Sequence, residues 1–205
     1  MTIYLIILTI ATSIYAFTNQ EIFNKLKFTP YIIHGNKSQW YRFFSYGFIH
    51  ADWMHLFINM FVLYSFGKLD EQYFNLYFSI KAHYFFILMY VGAIFSSVIP
   101  SFEKHKNNIS YSAVGASGAV SAVVFSCILF NPTMKLYLFF IPIGIPSVIF
   151  GILYLAYSAY MSRKNVDNIG HDAHFYGAVF GLAFTIILKP KLVNLFLDQI
   201  STLVN

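Results

Sequence analysis

Charge is what this chain has least of. Asp, Glu, Lys and Arg make up 10% of its 205 residues, against 58% hydrophobic ones. Soluble domains carry about 25% charged residues, so an ordinary water-exposed globule is a poor description of it. Cysteine is nearly missing. Cys127 stands alone in an apolar segment, which rules out an internal disulfide and leaves packing as its ordinary role. No basic stripe or recognition motif accompanies the formal charge of +5, so nucleic-acid binding has no footprint. The scattered Lys and Arg suit lipid headgroups better. The pattern His-Glu-x-x-His of a membrane metalloprotease is absent, as are internal repeats, low-complexity tracts and any soluble domain. The N-terminal apolar stretch has no basic leader and no small-residue cleavage site, and is expected to be a first span rather than a signal peptide.

What is present is a series of long uncharged stretches: 1–20, 53–67, 82–102, 107–134, 136–162 and 173–188. A bilayer-spanning helix needs roughly 17–25 mainly apolar residues. Tyr and Phe gather near the ends of these stretches, as interfacial anchors do. The expected fold is all-α, a single polytopic membrane domain over residues 1–205. Six helices are expected at about 2–18, 53–67, 83–100, 115–131, 142–161 and 172–189. Asp52 suits the N-cap of the second. Asn131-Pro132 and Pro190 read as stop signals. The aromatic-rich connection 19–52 is expected to lie in the membrane interface. Ser117 to Phe130 is 14 residues, roughly 21 Å of helix against a hydrocarbon core of about 30 Å. A helix starting at Ser117 therefore starts below the surface, where irregular backbone survives only inside protein or beside water.

The polar groups within these stretches carry the chemistry. Ser117, in Gly115-Ala116-Ser117-Gly118, opens the fourth stretch. Unpaired N–H groups at a helix start suit an oxyanion, and flanking glycines allow close backbone approach. The plain alternative is a small-residue packing face. His174 opens the sixth stretch, with Gly177 and Gly181 following at i+3 and i+7 on one face. That smooth face would let a neighbouring backbone come close and bring an imidazole to a hydroxyl. The alternative is a histidine at a helix mouth. His171 competes for the same role but precedes Asp172 in an expected loop, off the glycine face. On the second helix His55 and Asn59 are spaced i, i+4 and share a face, with His50 in the approach to it. Both carry donors that could serve an oxyanion. Taken together, a hydroxyl and an imidazole in membrane-type segments suggest a serine nucleophile and its base.

These residues resemble the rhomboid family of intramembrane serine proteases over roughly residues 40–188. His50, His55 and Asn59 resemble the family's H-x4-H-x3-N, Gly115-Ala116-Ser117-Gly118 its G-x-S-G, and His174, Gly177 and Gly181 its histidine-glycine motif. Gly67 and Glu71 fall where the family has a glycine and a glutamate at the end of that helix. The resemblance implies a six-transmembrane-helix bundle with Ser117 as nucleophile and His174 as general base, then acid. It further implies His55, Asn59 and the Ser117 N–H as the oxyanion hole. Arg42 matches the family's loop arginine, and His50, Glu71 and the four glycines would give structural support. The implied substrates are transmembrane segments of other proteins in the lipid bilayer, with no metal and no organic cofactor. The expected location is a bacterial plasma (inner) membrane.

The sequence departs from the family in three respects. Tyr41 precedes Arg42 where a tryptophan is usual. Ser121, four residues after Ser117, stands where many relatives place an aromatic that packs on the catalytic imidazole. And the family's orientation would put more Lys and Arg outside (residues 25, 27, 37, 42, 104, 106, 163 and 164) than inside (residues 68, 81, 135, 189 and 191), against the positive-inside rule. Among rivals, a site of His50, His55, His171 and His174 lacks a thiolate or carboxylate partner at metal-ligand spacing. Asp70 and Asp172 match no aspartyl-protease pattern, and a transporter's broken-helix repeats are not found. The serious alternative is a catalytically inactive relative that binds membrane clients. The polar loop 162–171 and the fifth helix are candidate gating parts.

Overall fold

The computed structural model describes residues 1–137, 143–164 and 170–204. The all-α expectation holds. The described helices are α1 (Thr2–Thr18), α2 (Gln20–Leu26), α3 (Pro30–Gly35), α4 (Arg42–Ser45), α5 (Trp53–Phe78) and α6 (Ala82–Ser97). They continue as α7 (Ile99–His105), α8 (Ser117–Phe130), α9 (Ser147–Lys164), α10 (His171–Leu188) and α11 (Leu192–Val204). One small antiparallel pair, Lys135–Leu136 with Ile145–Pro146, interrupts this pattern.

Helix α8 is the axis. Every residue from Gly118 to Phe130 is buried, and α5, α6 and α10 pack directly around it. α1 lies outside α5, while α9 lies against α10 and α8. The core between them is largely aromatic: Phe74, Phe86, Met89 and Tyr90 are fully enclosed. Rings are suited to this, since each fills a large volume at little entropic cost.

Several boundaries differ from the sequence reading. α5 runs to Phe78, well past Gly67. Gly67 is not a cap: a Cβ there would lie 2.8 Å from the Thr2 side chain, so it permits α1 to approach. The acidic residues that follow have partners inside the bundle rather than being exposed by a helix end. Ser126 Oγ donates to Asp70 Oδ1 at 2.9 Å, and the Thr2 N–H donates to Glu71 Oε1 at 2.7 Å. α6 ends at Ser97, a little before the expected end at 100, and Pro100 sits in the first turn of α7, where its missing N–H costs nothing. α10 ends at Leu188, just before Pro190 as expected, and α11 follows, a helix the sequence reading did not include. The connection 19–52 holds three short α-helices and two single 3-10 turns. α9 begins at Ser147 rather than 142, and 138–142 lie outside the described residues. Of the expected loop 162–171, residues 162–164 belong to α9, His171 begins α10, and 165–169 lie outside the described residues.

By length and hydropathy, two helical stretches among the described residues suit a membrane crossing: Trp53–His105, which contains α5, α6 and α7, and His171–Leu188. Thr2–Thr18 and Ser117–Phe130 are apolar but shorter.

Candidate active site

Ser117 is the first residue of α8, and the turn before it is held from three sides. Gly115 has φ +120°, a conformation other residues rarely adopt. A Cβ on it would fall 2.6 Å from His55 Cε1, so the imidazole fills the space a side chain would need. The Gly115 N–H donates to Tyr46 O at 3.0 Å, and Ala113 exchanges two backbone hydrogen bonds with Phe28. The Ala116 N–H donates to His50 Nε2 at 3.4 Å. That bond fixes the His50 tautomer, because an accepting Nε2 leaves the proton on Nδ1 of a neutral ring. Nδ1 then donates to Ser13 Oγ at 3.0 Å, and Ser13 passes its own proton toward Phe48 O at 3.1 Å. Burial, with His55 beside it, pushes the His50 imidazole down to about 3. It stays neutral as this bonding requires.

The expected α5 face is present. Asp52 caps the helix by accepting from the His55 N–H at 2.8 Å. The rings of His50 and His55 meet edge to face with centroids 4.9 Å apart. Asn59 is buried at 5% exposure, and its Nδ2 donates to His55 O at 2.9 Å, leaving a second amide proton for another acceptor.

α8 and α10 run parallel and touch backbone to backbone. A Cβ on Gly177 would lie 2.1 Å from Gly118 O, and one on Gly181 2.2 Å from Ala122 O. Neither position has room for any side chain. A Cβ on Gly118 would in turn meet Ser97 Oγ at 2.5 Å and Ala173 O at 3.2 Å. The residues next to Ser117 and His174 in the chain are thus in contact, and both side chains belong to the same end of this helix pair. His171, expected in a loop, is instead buried at the start of α10, with its ring centroid 6.0 Å from that of His174.

Two expected residues lie elsewhere. Arg42, 6% exposed, donates to Gln39 Oε1 at 2.9 Å and to the carbonyls of Asn24 and Lys27 at 2.8 Å each. It caps the C-terminal end of α2 and ties the 19–52 connection together. Glu71 is 16 residues beyond His55 on α5, roughly 24 Å along the helix, where it receives the start of α1.

Residues the sequence reading passed over also meet here. Tyr154 of α9 lies beside His174, with ring centroids 6.2 Å apart and planes 23° from parallel. Its hydroxyl is 2.6 Å from Ser121 Oγ. The departure at Ser121 marked a missing aromatic, but nothing in the aromatic-rich fifth helix singled out which ring would replace it.

A family model described as the Rhomboid domain matches residues 37–191, most of the chain. The chain belongs to the rhomboid family and is an integral membrane protein. It is 41% identical over 95 residues to Rhomboid-like protein 11, chloroplastic, of Arabidopsis thaliana. That match covers 44% of this chain but only 29% of the plant protein's length.

Proposed function

We propose that this chain is an intramembrane serine endopeptidase that cleaves transmembrane segments of other proteins through a Ser117–His174 dyad. The observation that carries this reading is the glycine seam of α8 and α10, which puts both residues at one end of two helices in backbone contact. His174 accepts the Ser117 proton as Oγ attacks the scissile carbonyl. The Ser117 N–H, His55 and Asn59 hold the resulting oxyanion; donors fixed in advance cost no reorganisation at the moment of reaction. His174 then protonates the leaving amine. A water, deprotonated by the same imidazole, releases the acyl group and restores the hydroxyl. His50, Arg42, Glu71, Gly115, Gly118, Gly177 and Gly181 support this arrangement without touching substrate. Residues 1–205 form one membrane domain in this proposal, with six crossings supplied by α1, α5, α6, α8, α9 and α10. We place it in a bacterial plasma membrane; the chloroplast named for the plant relative belongs to that protein.

In liposomes carrying a transmembrane substrate, cleavage is expected to vanish in Ser117→Ala and in His174→Ala with the fold intact, while His171→Ala keeps most activity. A fluorophosphonate probe is expected to label wild type at Ser117. Cleavage persisting in Ser117→Ala would eliminate the enzyme reading. A folded wild type that neither labels nor cleaves would leave the client-binding relative in its place.

A further inference from the structure

Where many rhomboids supply an aromatic from the helix of the nucleophile, Ser121 offers only a hydroxyl, and a buried hydroxyl is of use mainly as a hydrogen-bond partner. Tyr154 provides both a ring and that partner. Ser121 is i+4 from Ser117 and so shares its face of α8. The 2.6 Å bond from Ser121 Oγ to the Tyr154 hydroxyl anchors the tip of the ring to this face. From that anchor the ring lies nearly parallel to the His174 imidazole, at a 6.2 Å centroid separation. Phe125 and Phe150 flank it at 5.7 and 5.8 Å and limit its tilt. A phenol held at its tip by one helix and at its sides by two rings has little freedom.

Resting on the proposed protease reading, we propose that Tyr154 is the positioning residue for His174, pinned by Ser121, so that the aromatic support of the base comes from α9 rather than from the helix of the nucleophile. The two residues exchange the usual roles: the neighbour on α8 becomes the tether, and the ring comes from outside. Tyr154 touches no reacting atom. It acts by holding the imidazole in the orientation that faces Ser117, where a displacement of about 1 Å can cost on the order of 10²-fold in rate.

The test uses the full chain in liposomes with a fluorogenic transmembrane peptide, and fluorophosphonate labelling of wild type as a control on the underlying reading. Tyr154→Ala is expected to lower kcat by about 10²-fold with KM little changed, and to move the acidic limb of the kcat–pH profile, which reports the base. Tyr154→Phe and Ser121→Ala keep the ring and lose only the tether, so kcat in each is expected to fall by about two- to tenfold. Returning the ring to α8 in Ser121→Tyr combined with Tyr154→Ala is expected to recover much of the loss. If Tyr154→Ala does not fold, the two tether variants still decide, since wild-type kcat in both would overturn the proposal. Wild-type kcat in a folded Tyr154→Ala would also overturn it, as would Tyr154→Phe being as damaged as Tyr154→Ala. In those cases a labelled, active wild type shows that only the positioning role has failed; an unlabelled, inactive wild type removes the protease reading and this proposal together.

Discussion

α10 has two neighbours near His174, and they are held to it in opposite ways. Against α8 it presents Gly177 and Gly181, and the helices meet main chain to main chain. Against α9 it meets large side chains: Tyr154 beside His174, and Tyr157 with its ring 5.5 Å from that of His171. The two partners also differ in burial. All of α8 after Ser117 is enclosed, whereas only Ser147, Gly151 and Ser158 of α9 are buried. Ile152, Leu153, Tyr157 and Tyr160 face outward, with exposures between 55% and 63%. The main-chain contact leaves no room for a side chain at Gly177 or Gly181, while the α9 contact depends on which rings are present. One side of His174 is thus closed by main chain and the other by side chains.

The contrast can be broken most forcefully at the seam. Gly177→Ala asks a methyl to occupy space 2.1 Å from Gly118 O. It is expected to destabilise by about 1–3 kcal/mol or more and to abolish cleavage, read by thermal unfolding in detergent and by substrate turnover. Gly151→Ala on α9 places its methyl 3.1 Å from the flexible Ile128 Cδ1 and is expected to change stability by under about 1 kcal/mol. Equal effects at both positions would erase the distinction.

Next in size is Asn59→Ala, on α5, which packs against α8. As an oxyanion donor it should lower kcat by about 10²–10³-fold without a matching change in thermal midpoint. An unchanged rate would remove it from the site.

A smaller effect concerns His50. Its folded value of about 3 lies below the ordinary 6.5, so on acidification the unfolded chain binds the proton first. The stability this contributes is complete above about pH 6.5 and is lost progressively as pH falls toward 3. Thermal midpoints at pH 7 and pH 4.5 should therefore differ more in wild type than in His50→Gln. Equal differences would show that other groups carry the acid sensitivity.

The smallest effect is expected where α7 meets α10. Lys104 Nζ is 3.7 Å from Asp172 Oδ2, and Ser162 of α9 donates to Oδ1 of the same carboxylate. The lysine is 43% exposed, so Lys104→Ala should cost under about 1 kcal/mol, and less in high salt.

How much of this the sequence disclosed depended on how local the signal was. The glycine seam beside Ser117 and His174 was legible because small residues at i+3 and i+7 from His174 mark a face that another backbone can approach. Asp52 was legible because a cap is decided within one turn. The end of α5 was not, since charge was taken as a terminator while Asp70 and Glu71 find partners in Ser126 and Thr2, far along the chain. The helices that follow Pro100 and Pro190 were missed for a related reason: proline that closes one helix also suits the start of another. Tyr154 was hidden in a segment with many rings, where only the packing of α9 on α8 and α10 selects one. Arg42 was picked out by its match to the family's loop arginine, yet two of its acceptors are backbone carbonyls that carry no mark in a sequence.

Ser13 lies before residue 37, where the family match begins, yet it receives the Nδ1 proton of a histidine with 0% exposure. A chain trimmed to the matched boundaries would strip that histidine of its acceptor, at about 1–3 kcal/mol for an orphaned buried donor. The loss would be felt at the Ala116 amide, one residue from the nucleophile. The smallest portable piece of this protein is therefore larger than the stretch by which its kinship is recognised.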